Sequence, residues 1–216
     1  KTGAELGYPT HQFTYALDLE KEERFEEAAH WYKESAEANN GESWYRLGCL
    51  YFDGKGVEKD EAYAVSCFQK ELARDPEQIG ACNLMGKAYF FGRGIPQDYA
   101  KAYQLLKLGH DKGKTNWGVY YLAKCCFEGW GTPQDYGQAL RYLGEMNWNY
   151  WEKDYMLGVI YARGLGGVTA DIPKGVAHLQ KVSGHPEAKE ELLHYKKTLF
   201  GKWVRRGEGA GGTPRI

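Results

Sequence analysis

The chain has 216 residues, of which 43% are hydrophobic, and its formal net charge at pH 7 is −1. The hydrophobic fraction is that of an ordinary globular protein. A net charge this small excludes the strong positive field that draws many proteins to nucleic acid or anionic membranes. The sequence holds no run of about 18 apolar residues, so we expect no membrane-spanning helix.

The cysteines and the N-terminal segment bear on the cell compartment. The five cysteines are odd in number and irregularly spaced, unlike an extracellular disulfide framework, and they form no paired C-x-x-C units of a zinc site. The first 20 or so residues lack the basic start and apolar run of a signal peptide, although the chain starts at Lys1 and an upstream segment could have been removed. We therefore expect reduced cysteines, no metal and a cytoplasmic location.

The first predicted element is a pair of helices joined by a short turn at 21–24. Apolar and small residues lie at helical spacing on both sides of this turn. They are Ala16, Ala28, Trp31, Tyr32 and Ala36.

Four copies of one longer pattern follow, with a period of about 35 to 38 residues, which indicates stacked supersecondary units. Each copy has a small residue, an aromatic residue or its substitute, a Gly-x-Gly loop and an aspartate. The signature residues are Gly48, Tyr51, Gly54, Gly56 and Asp60 in the first copy; Gly86, Tyr89, Gly92, Gly94 and Asp98 in the second; Gly129, Gly131 and Asp135 in the third; and Gly158, Tyr161 and Gly164 in the fourth.

Each copy predicts two helices, here called the A helix and the B helix, on either side of the loop. In the first copy, Gly48 lets a neighbouring helix approach the A helix closely, and the loop glycines supply positive φ angles. Asp60 stands where its side chain caps the B helix. A dinucleotide-binding loop would need a preceding strand and a third glycine, which this pattern lacks.

The C-terminal part predicts a helix at 186–206 that caps the last repeat, because open ends of a repeat stack need a polar outer face. Residues 207–216 have no core residues, and we expect a flexible tail. The predicted fold class is all-α: a right-handed α/α solenoid of about five helix-turn-helix repeats in a single domain, 1–206.

The stretch from Leu47-Gly48 to Asp60 closely resembles the Sel-one-like repeat family, a relative of the tetratricopeptide repeats, at every signature position. The resemblance covers roughly 12–185, and the first helix pair is similar to a plain tetratricopeptide unit. Departures are Ala123, Cys126, Gly175 and an extra loop residue near Gly167. The resemblance implies an α/α solenoid that serves as an adaptor or scaffold in multiprotein complexes.

One secreted, cysteine-rich branch of this family is associated with binding or cleaving β-lactams, and paired cysteines staple its repeats. Cys82 matches one cysteine of such a pair, but Arg74 stands at the position of the other. The missing staple disfavours this branch, which we keep as the enzymatic alternative.

By analogy with tetratricopeptide units, the A helices line a concave face that binds a protein or peptide. The expected partner-binding residues are Tyr45, Cys49, Asn83, Lys87, Phe91, Tyr120, Lys124, Phe127 and Tyr155. Lys87 and Lys124 occupy equivalent positions, and Asn83 lies one turn from Lys87. We expect such an Asn/Lys pair to clamp a carboxylate of the partner while the tyrosines pack against its apolar parts. The alternative is that Phe90, Phe91 and Phe127 pack against the next repeat and that the lysines are solvated.

We expect a non-enzymatic interaction module without catalytic residues or a cofactor. The six histidines share no motif, although a Cys–His pair assembled in space stays open. A further alternative is a scaffold that uses its convex face or the basic C-terminal segment. That segment, which is also the one candidate contact for nucleic acid, contains Lys196, Lys197, Lys202, Arg205 and Arg206.

Overall fold

The computed structural model describes residues 2–40, 42–113, 116–148 and 150–207. Over these ranges the regular secondary structure is almost entirely helical. The helices are α1 (Thr2–Glu5), α2 (Pro9–Lys21), α3 (Phe25–Glu37), α4 (Ser43–Asp53), α5 (Glu61–Arg74), α6 (Ile79–Phe91), α7 (Tyr99–Gly113), α8 (Asn116–Glu128), α9 (Tyr136–Glu145), α10 (Trp151–Arg163), α11 (Ile172–Lys181) and α12 (Pro186–Leu192). Two strands follow, β1 (Tyr195–Lys197) and β2 (Trp203–Arg205).

The helices pair as the sequence predicts. The plain unit is α2–α3, and the four longer repeats are α4–α5, α6–α7, α8–α9 and α10–α11. The chain forms two compact units, Lys1–Gly118 and Val119–Ile216, here called unit 1 and unit 2. A single domain over 1–206 stays a prediction.

Each unit has its own apolar core, formed by the facing sides of the paired helices. The largest fully buried apolar side chains of unit 1 are Leu19, Tyr32, Leu47, Phe68 and Leu106, and those of unit 2 are Val119, Leu122, Leu143, Ile160, Val176 and Leu179. Burying a side chain of this size contributes about 1.5–3 kcal/mol, so these residues dominate the stability of the repeats.

The signature glycine of the A helix is a site of close helix packing. A Cβ atom at Gly48 would lie 2.5 Å from the Phe68 ring, and one at Gly86 or Gly158 would lie 2.6 Å from Leu106 or Leu179. Each of these contacts joins the A helix to the B helix of the same repeat. The expectation from sequence that a helix approaches here is confirmed.

The two loop glycines have different tasks. The first ends the A helix in a left-handed conformation, with φ of +69° at Gly54 and Gly92. The second, also at positive φ, lies against the start of the preceding B helix. A Cβ atom at Gly94 would overlap the backbone carbonyl of Glu61, and one at Gly166 would lie 2.7 Å from the backbone nitrogen of Gly137. At Gly56, Gly94 and Gly166 the second glycine is therefore the contact through which one repeat meets the one before it.

The signature aspartate fixes the loop from both sides. In the first repeat the Asp60 Oδ1 atom accepts a hydrogen bond from the Tyr63 backbone N–H at 2.8 Å, which caps α5. Its own N–H donates to the Tyr51 carbonyl at 3.1 Å, so the loop is tied back to α4. The same pair of bonds recurs at Asp98, Asp135 and Asp171. The predicted caps are confirmed, and one cap contributes about 1 kcal/mol.

The predicted capping helix at 186–206 is wrong beyond Leu192. After the short α12, Tyr195 pairs with Arg205 and Lys197 with Trp203 in an antiparallel hairpin. Gly201, at φ +78°, makes the turn that a continuous helix could not accommodate. The apolar residues of this segment therefore do not form the buried face of a capping helix, since Leu199 and Phe200 are 101% and 92% exposed at the hairpin tip. Apart from Gly207, the expected tail at 207–216 lies outside the described residues.

Buried polar contacts join the hairpin to α12 and α10. Glu191 of α12, which is 5% exposed, accepts hydrogen bonds from the Arg163 Nε atom at 2.9 Å and from the Tyr195 hydroxyl at 3.0 Å. Burial and the Glu191 carboxylate raise the pKa of Tyr195 to about 12. The hairpin thus takes the terminal position that the sequence assigned to a helix.

Substitution of the two loop glycines at 92 and 94 separates backbone strain from repeat packing, because both have φ of +69°. Gly92→Ala places its Cβ atom 3.4 Å from Gln97, an ordinary contact, so we expect a loss of about 1–2 kcal/mol from the left-handed conformation alone. Gly94→Ala also collides with the Glu61 backbone, and we expect about 1–3 kcal/mol of further destabilisation. Urea unfolding of both variants measures this difference in the free energy of unfolding. Equal losses in the two variants would contradict the close contact of Gly94 with the Glu61 backbone.

An ion pair between the second Gly-x-Gly loop and the start of α5 leads to a prediction about acid. Arg93 donates to Glu61 Oε1 at 2.7 Å from Nε, and Lys59 lies 2.9 Å away. The Arg93 hydrogen bond, followed by Lys59, lowers the pKa of Glu61 to about 2 from its ordinary 4.5. A depressed carboxyl pKa contributes stability that is complete above the ordinary value and is lost as pH falls towards 2. We expect Arg93→Gln to raise the pKa of Glu61 in an NMR carboxyl titration, whereas Lys112→Gln, a matched charge change elsewhere, should leave it unmoved.

Candidate partner-binding site

Unit 2 contains a cavity of about 220 Å³ lined by two tryptophans, a tyrosine and several charged side chains. We call it the aromatic pocket. Its lining residues are Lys124, Glu128, Trp130, Trp151, Glu152, Tyr155, Met156 and Glu187.

The repeat architecture places these side chains together. Tyr120, Lys124 and Glu128 follow one another at four-residue steps on α8 and therefore share one face of that helix. Trp151 and Tyr155 are related in the same way on α10. Trp130 comes from the Gly-x-Gly loop of the third repeat, and Glu187 from α12. The pocket thus uses two successive A helices, one loop and the terminal helix.

Aromatic contacts hold the wall of the pocket on α10. The Trp151 and Tyr155 ring centroids are 6.3 Å apart, and Tyr155 lies 6.1 Å from Phe127. Trp151 stacks on His185 with centroids 4.0 Å apart and an interplanar angle of 4°. A tryptophan held against a second ring in this way presents a preformed flat surface.

Lys124 lies between rings on the opposite wall. Its Nζ atom is 5.5 Å from the Trp130 centroid and 5.9 Å from the Tyr120 centroid, and it is 3.5 Å from the Tyr120 hydroxyl. That hydroxyl donates to Glu152 Oε1 at 3.0 Å. Burial and the Glu152 charge raise the pKa of Tyr120 above its ordinary value, so the tyrosine stays a hydrogen-bond donor.

Carboxylates outnumber basic groups around the pocket. Glu128, Glu152 and Glu187 line it together with one ammonium, that of Lys124. Desolvation raises the pKa of Glu128 although Lys124 opposes the shift. An adjoining cavity of about 260 Å³ shares Tyr155 and Glu187 and adds Arg163, Glu190, Glu191 and His194. The surface is therefore aromatic and acidic. The sequence analysis expected the opposite charge, namely an Asn/Lys pair that binds a carboxylate of the partner.

The residues predicted for partner binding in unit 2 have three different environments. Lys124 and Tyr155 line the aromatic pocket. Tyr120 borders it through its contacts with Lys124 and Glu152. Phe127 is 6% exposed because its ring packs on Tyr136 and Tyr155. Its predicted exposure is wrong, and the packing alternative is correct there.

The predicted residues of unit 1 are less accessible. Asn83 is 7% exposed because it packs against Gly109 of α7, where an added Cβ would lie 2.6 Å from its Oδ1 atom. Its predicted place in an exposed clamp is therefore wrong. Lys87 is half-buried with its Nζ atom 6.0 Å from the Phe52 ring, and burial followed by the Arg93 charge lowers its pKa. Phe91 is 50% exposed.

Tyr45 and Cys49 of α4 are half-buried and contact each other. The Tyr45 ring packs at Gly80, where an added Cβ would lie 2.6 Å from the hydroxyl oxygen. Tyr45 thus contributes to packing between α4 and α6, and not to an open platform.

The sequence analysis missed Trp130, Trp151, Glu152, Met156 and Glu187 as lining residues. Trp151 lies one helical turn before Tyr155, beyond the A-helix positions that the tetratricopeptide analogy marks. Trp130 stands at the variable position between two loop glycines. An aromatic residue at that position is the signal from which the pocket could have been found.

Four of the five cysteines do not have the environment of an activated nucleophile. Burial raises the pKa of Cys49 and Cys125 to about 12 and of Cys67 and Cys82 to about 11. All five cysteines lie among the described residues, and none forms a disulfide. Over the described ranges there is no group of three or more His, Cys, Asp or Glu side chains that could hold a metal ion.

One histidine–carboxylate pair lies outside the pocket. The His178 Nδ1 atom is 2.6 Å from Asp154 Oδ1, and the His178 ring stacks on Tyr161. Lys181 also contacts Asp154 at 3.2 Å. These contacts join α10 to α11 of one repeat and serve packing.

In the part of the chain that the structure describes, no helix is long and apolar enough to cross a membrane.

A family model described as Sel1 repeat matches residues 22–40, 42–70, 79–113, 118–145 and 154–181. No curated protein matches the chain. Several solved structures do. A Sel1 repeat protein from Oxalobacter formigenes is 26% identical, with a TM-score of 0.62 over 84% of this chain and 74% of that one.

Two further structures show the likeness of fold alone. A protective antigen of uropathogenic Escherichia coli strains, described as displaying an SLR fold, is 24% identical with a TM-score of 0.66 over 88% of this chain. The chain spans 41% of that protein's length. The MamA protein is 18% identical, with a TM-score of 0.56 over 88% of this chain and 97% of its own. The fold class is an all-α solenoid of helix-pair repeats, as the sequence predicts.

The buried thiols lead to a prediction about reactivity. The raised pKa values lower the thiolate fraction at pH 7.5, and the thiolate is the reactive form. We expect Cys49, Cys67, Cys82 and Cys125 to react with a disulfide reagent at least about 100-fold more slowly in the folded chain than in urea, with five thiols counted after unfolding. Any of these four thiols that reacts as fast in the folded chain as in urea would contradict this and reopen the Cys–His alternative.

Proposed function

The chain belongs to the Sel1 repeat family, and from this premise we propose that it is a protein-interaction module whose aromatic pocket holds a segment of a partner protein. Sel1 repeat proteins generally act as protein-interaction modules. The observation that carries the proposal is the convergence of Tyr120, Lys124 and Tyr155 at one cavity. All three were expected, by analogy with tetratricopeptide units, to contact a partner.

The size of the pocket favours a protein partner over a small molecule. Cavities that enclose drug-sized ligands measure about 300–1,000 Å³, whereas the aromatic pocket measures about 220 Å³. That volume suits one large side chain of a partner. Tryptophan and tyrosine in a small recess are also the residues that most often dominate the free energy of protein–protein binding.

The β-lactam alternative has little support from the cysteines. That branch is expected to carry stapled repeats, and the five cysteines form no disulfide. Nitrocefin turnover tests this alternative directly. We expect the chain to leave nitrocefin unchanged, since no thiol with a lowered pKa is present among the four with shifted values.

The hairpin offers a second candidate surface. It replaces the basic helix of the scaffold alternative, and its tip exposes Leu199 and Phe200 almost fully. Lys197 lies 5.5 Å from the Trp203 ring on the same hairpin. Exposed apolar side chains at one tip are a recognised mark of an interaction site.

A displayed library of random 12-residue peptides tests the pocket, with the intact chain as the bait. We expect selected peptides to lose at least about tenfold in affinity on Trp151→Ala or Trp130→Ala, because removing an aromatic anchor typically costs 2 kcal/mol or more. Tyr8→Ala, which removes an exposed aromatic side chain of unit 1 that the sequence analysis does not assign to partner binding, is the matched control and should change the affinity less than about threefold. Circular dichroism and Tm show that each variant is folded.

If the intact chain selects no peptide, the proposed pocket function fails. If the peptides bind all three variants equally, the site lies elsewhere, and the hairpin variant Leu199→Ser/Phe200→Ser is the next to be compared.

A further inference from the structure

We propose that the aromatic pocket recognises a basic side chain, arginine or lysine, in a partner segment. This inference rests on the proposed function and names the chemistry of the partner. The proposed partner side chain is basic, whereas the sequence analysis expected Lys124 to help bind a carboxylate of the partner.

The rings on the α10 wall have the arrangement that suits a cation. Trp151 and Tyr155 both line the cavity, and their centroids are 6.3 Å apart. Lys124 makes its cation–π contacts with Trp130 and Tyr120. A guanidinium or ammonium group within about 6 Å of a tryptophan face is attracted by the ring quadrupole, most strongly where it is partly desolvated.

The carboxylates around the rings supply the matching charge. Glu128, Glu152 and Glu187 line the pocket beside Lys124 alone. In the adjoining cavity, Glu190 adds to the same surface, and Arg163 is committed to Glu191. An acidic partner side chain would meet three carboxylates here, and like charges at such distances cost free energy.

In the described part of the chain, Lys124 is the one basic residue that lines the aromatic pocket. It occupies the wall of Tyr120 and Trp130, and no carboxylate lies within ion-pair distance of it among the described residues. Its cation–π contacts are with Tyr120 and Trp130, so we expect an incoming cation to contact Trp151 and Tyr155, beside the Glu152 and Glu187 carboxylates. We expect Lys124→Met to strengthen the binding of a basic peptide by removing a like charge.

The peptides selected from the random 12-residue library test this proposal. We expect Arg and Lys to be enriched over Asp and Glu in the selected set relative to the input library. For the tightest peptide, synthesised and titrated by tryptophan fluorescence, Glu128→Gln/Glu187→Gln should weaken binding about tenfold. Glu26→Gln/Glu58→Gln, an equal charge change at exposed positions of unit 1, is the matched control and should leave the affinity within about twofold. Raising the salt concentration should weaken the intact complex more than that of the pocket variant.

The outcomes separate the two proposals. Peptides that need Trp151 but are acidic or neutral would overturn the basic-side-chain inference and leave the pocket function standing. If the affinity for basic peptides falls equally in the pocket variant and in the unit 1 control variant, the peptides respond to the overall charge of the chain. That result would also overturn the basic-side-chain inference. A library that yields no binder would contradict the pocket function and, with it, this inference.

Discussion

The repeats depend on one close approach, that of the second loop glycine to the start of the preceding B helix. At Gly94 the backbone of the loop lies so near the Glu61 carbonyl that no Cβ atom fits, and Gly56 meets the backbone of Phe25 and Glu26 in the same way. A positive φ angle is needed at these positions as well. Both requirements admit glycine alone. The register between successive repeats in each unit is therefore set by backbone contact, and side chains are free to differ around it.

The departures from the repeat pattern follow from the same constraint of close packing. Gly175 stands where other repeats have alanine, and an added Cβ there would overlap the backbone nitrogen of Ala162. Cys126 replaces the signature tyrosine, but its carbonyl still accepts the hydrogen bond from Asp135 at 2.8 Å. The pattern thus conserves the backbone geometry of the loop more strictly than it conserves side-chain identity.

Local spacing predicted the helix pairs, loops and caps, because each depends on residues within one repeat. It failed where the outcome depends on a distant residue. Asn83 is buried because Gly109 lets α7 approach it, and nothing in the spacing of α6 reveals that glycine. At the C-terminus, the apolar residues suggested a helix, but the turn at Gly201 and the contact of Tyr195 with Glu191 favour a hairpin. Trp130 and Trp151 were missed for the same reason, since they line one cavity only in the folded chain.

The variable position between the loop glycines shows how one scaffold carries different surfaces. Arg93 occupies it in the second repeat and uses its charge within unit 1, against Glu61 and the Phe52 ring. Trp130 occupies it in the third repeat and forms part of the aromatic pocket. The flanking glycines keep the backbone the same in both cases, with φ of +69° at Gly94 and at Gly131. A side chain at this position can therefore change from a packing group to a recognition group without cost to the loop, which is how repeats of one fold come to bind different partners.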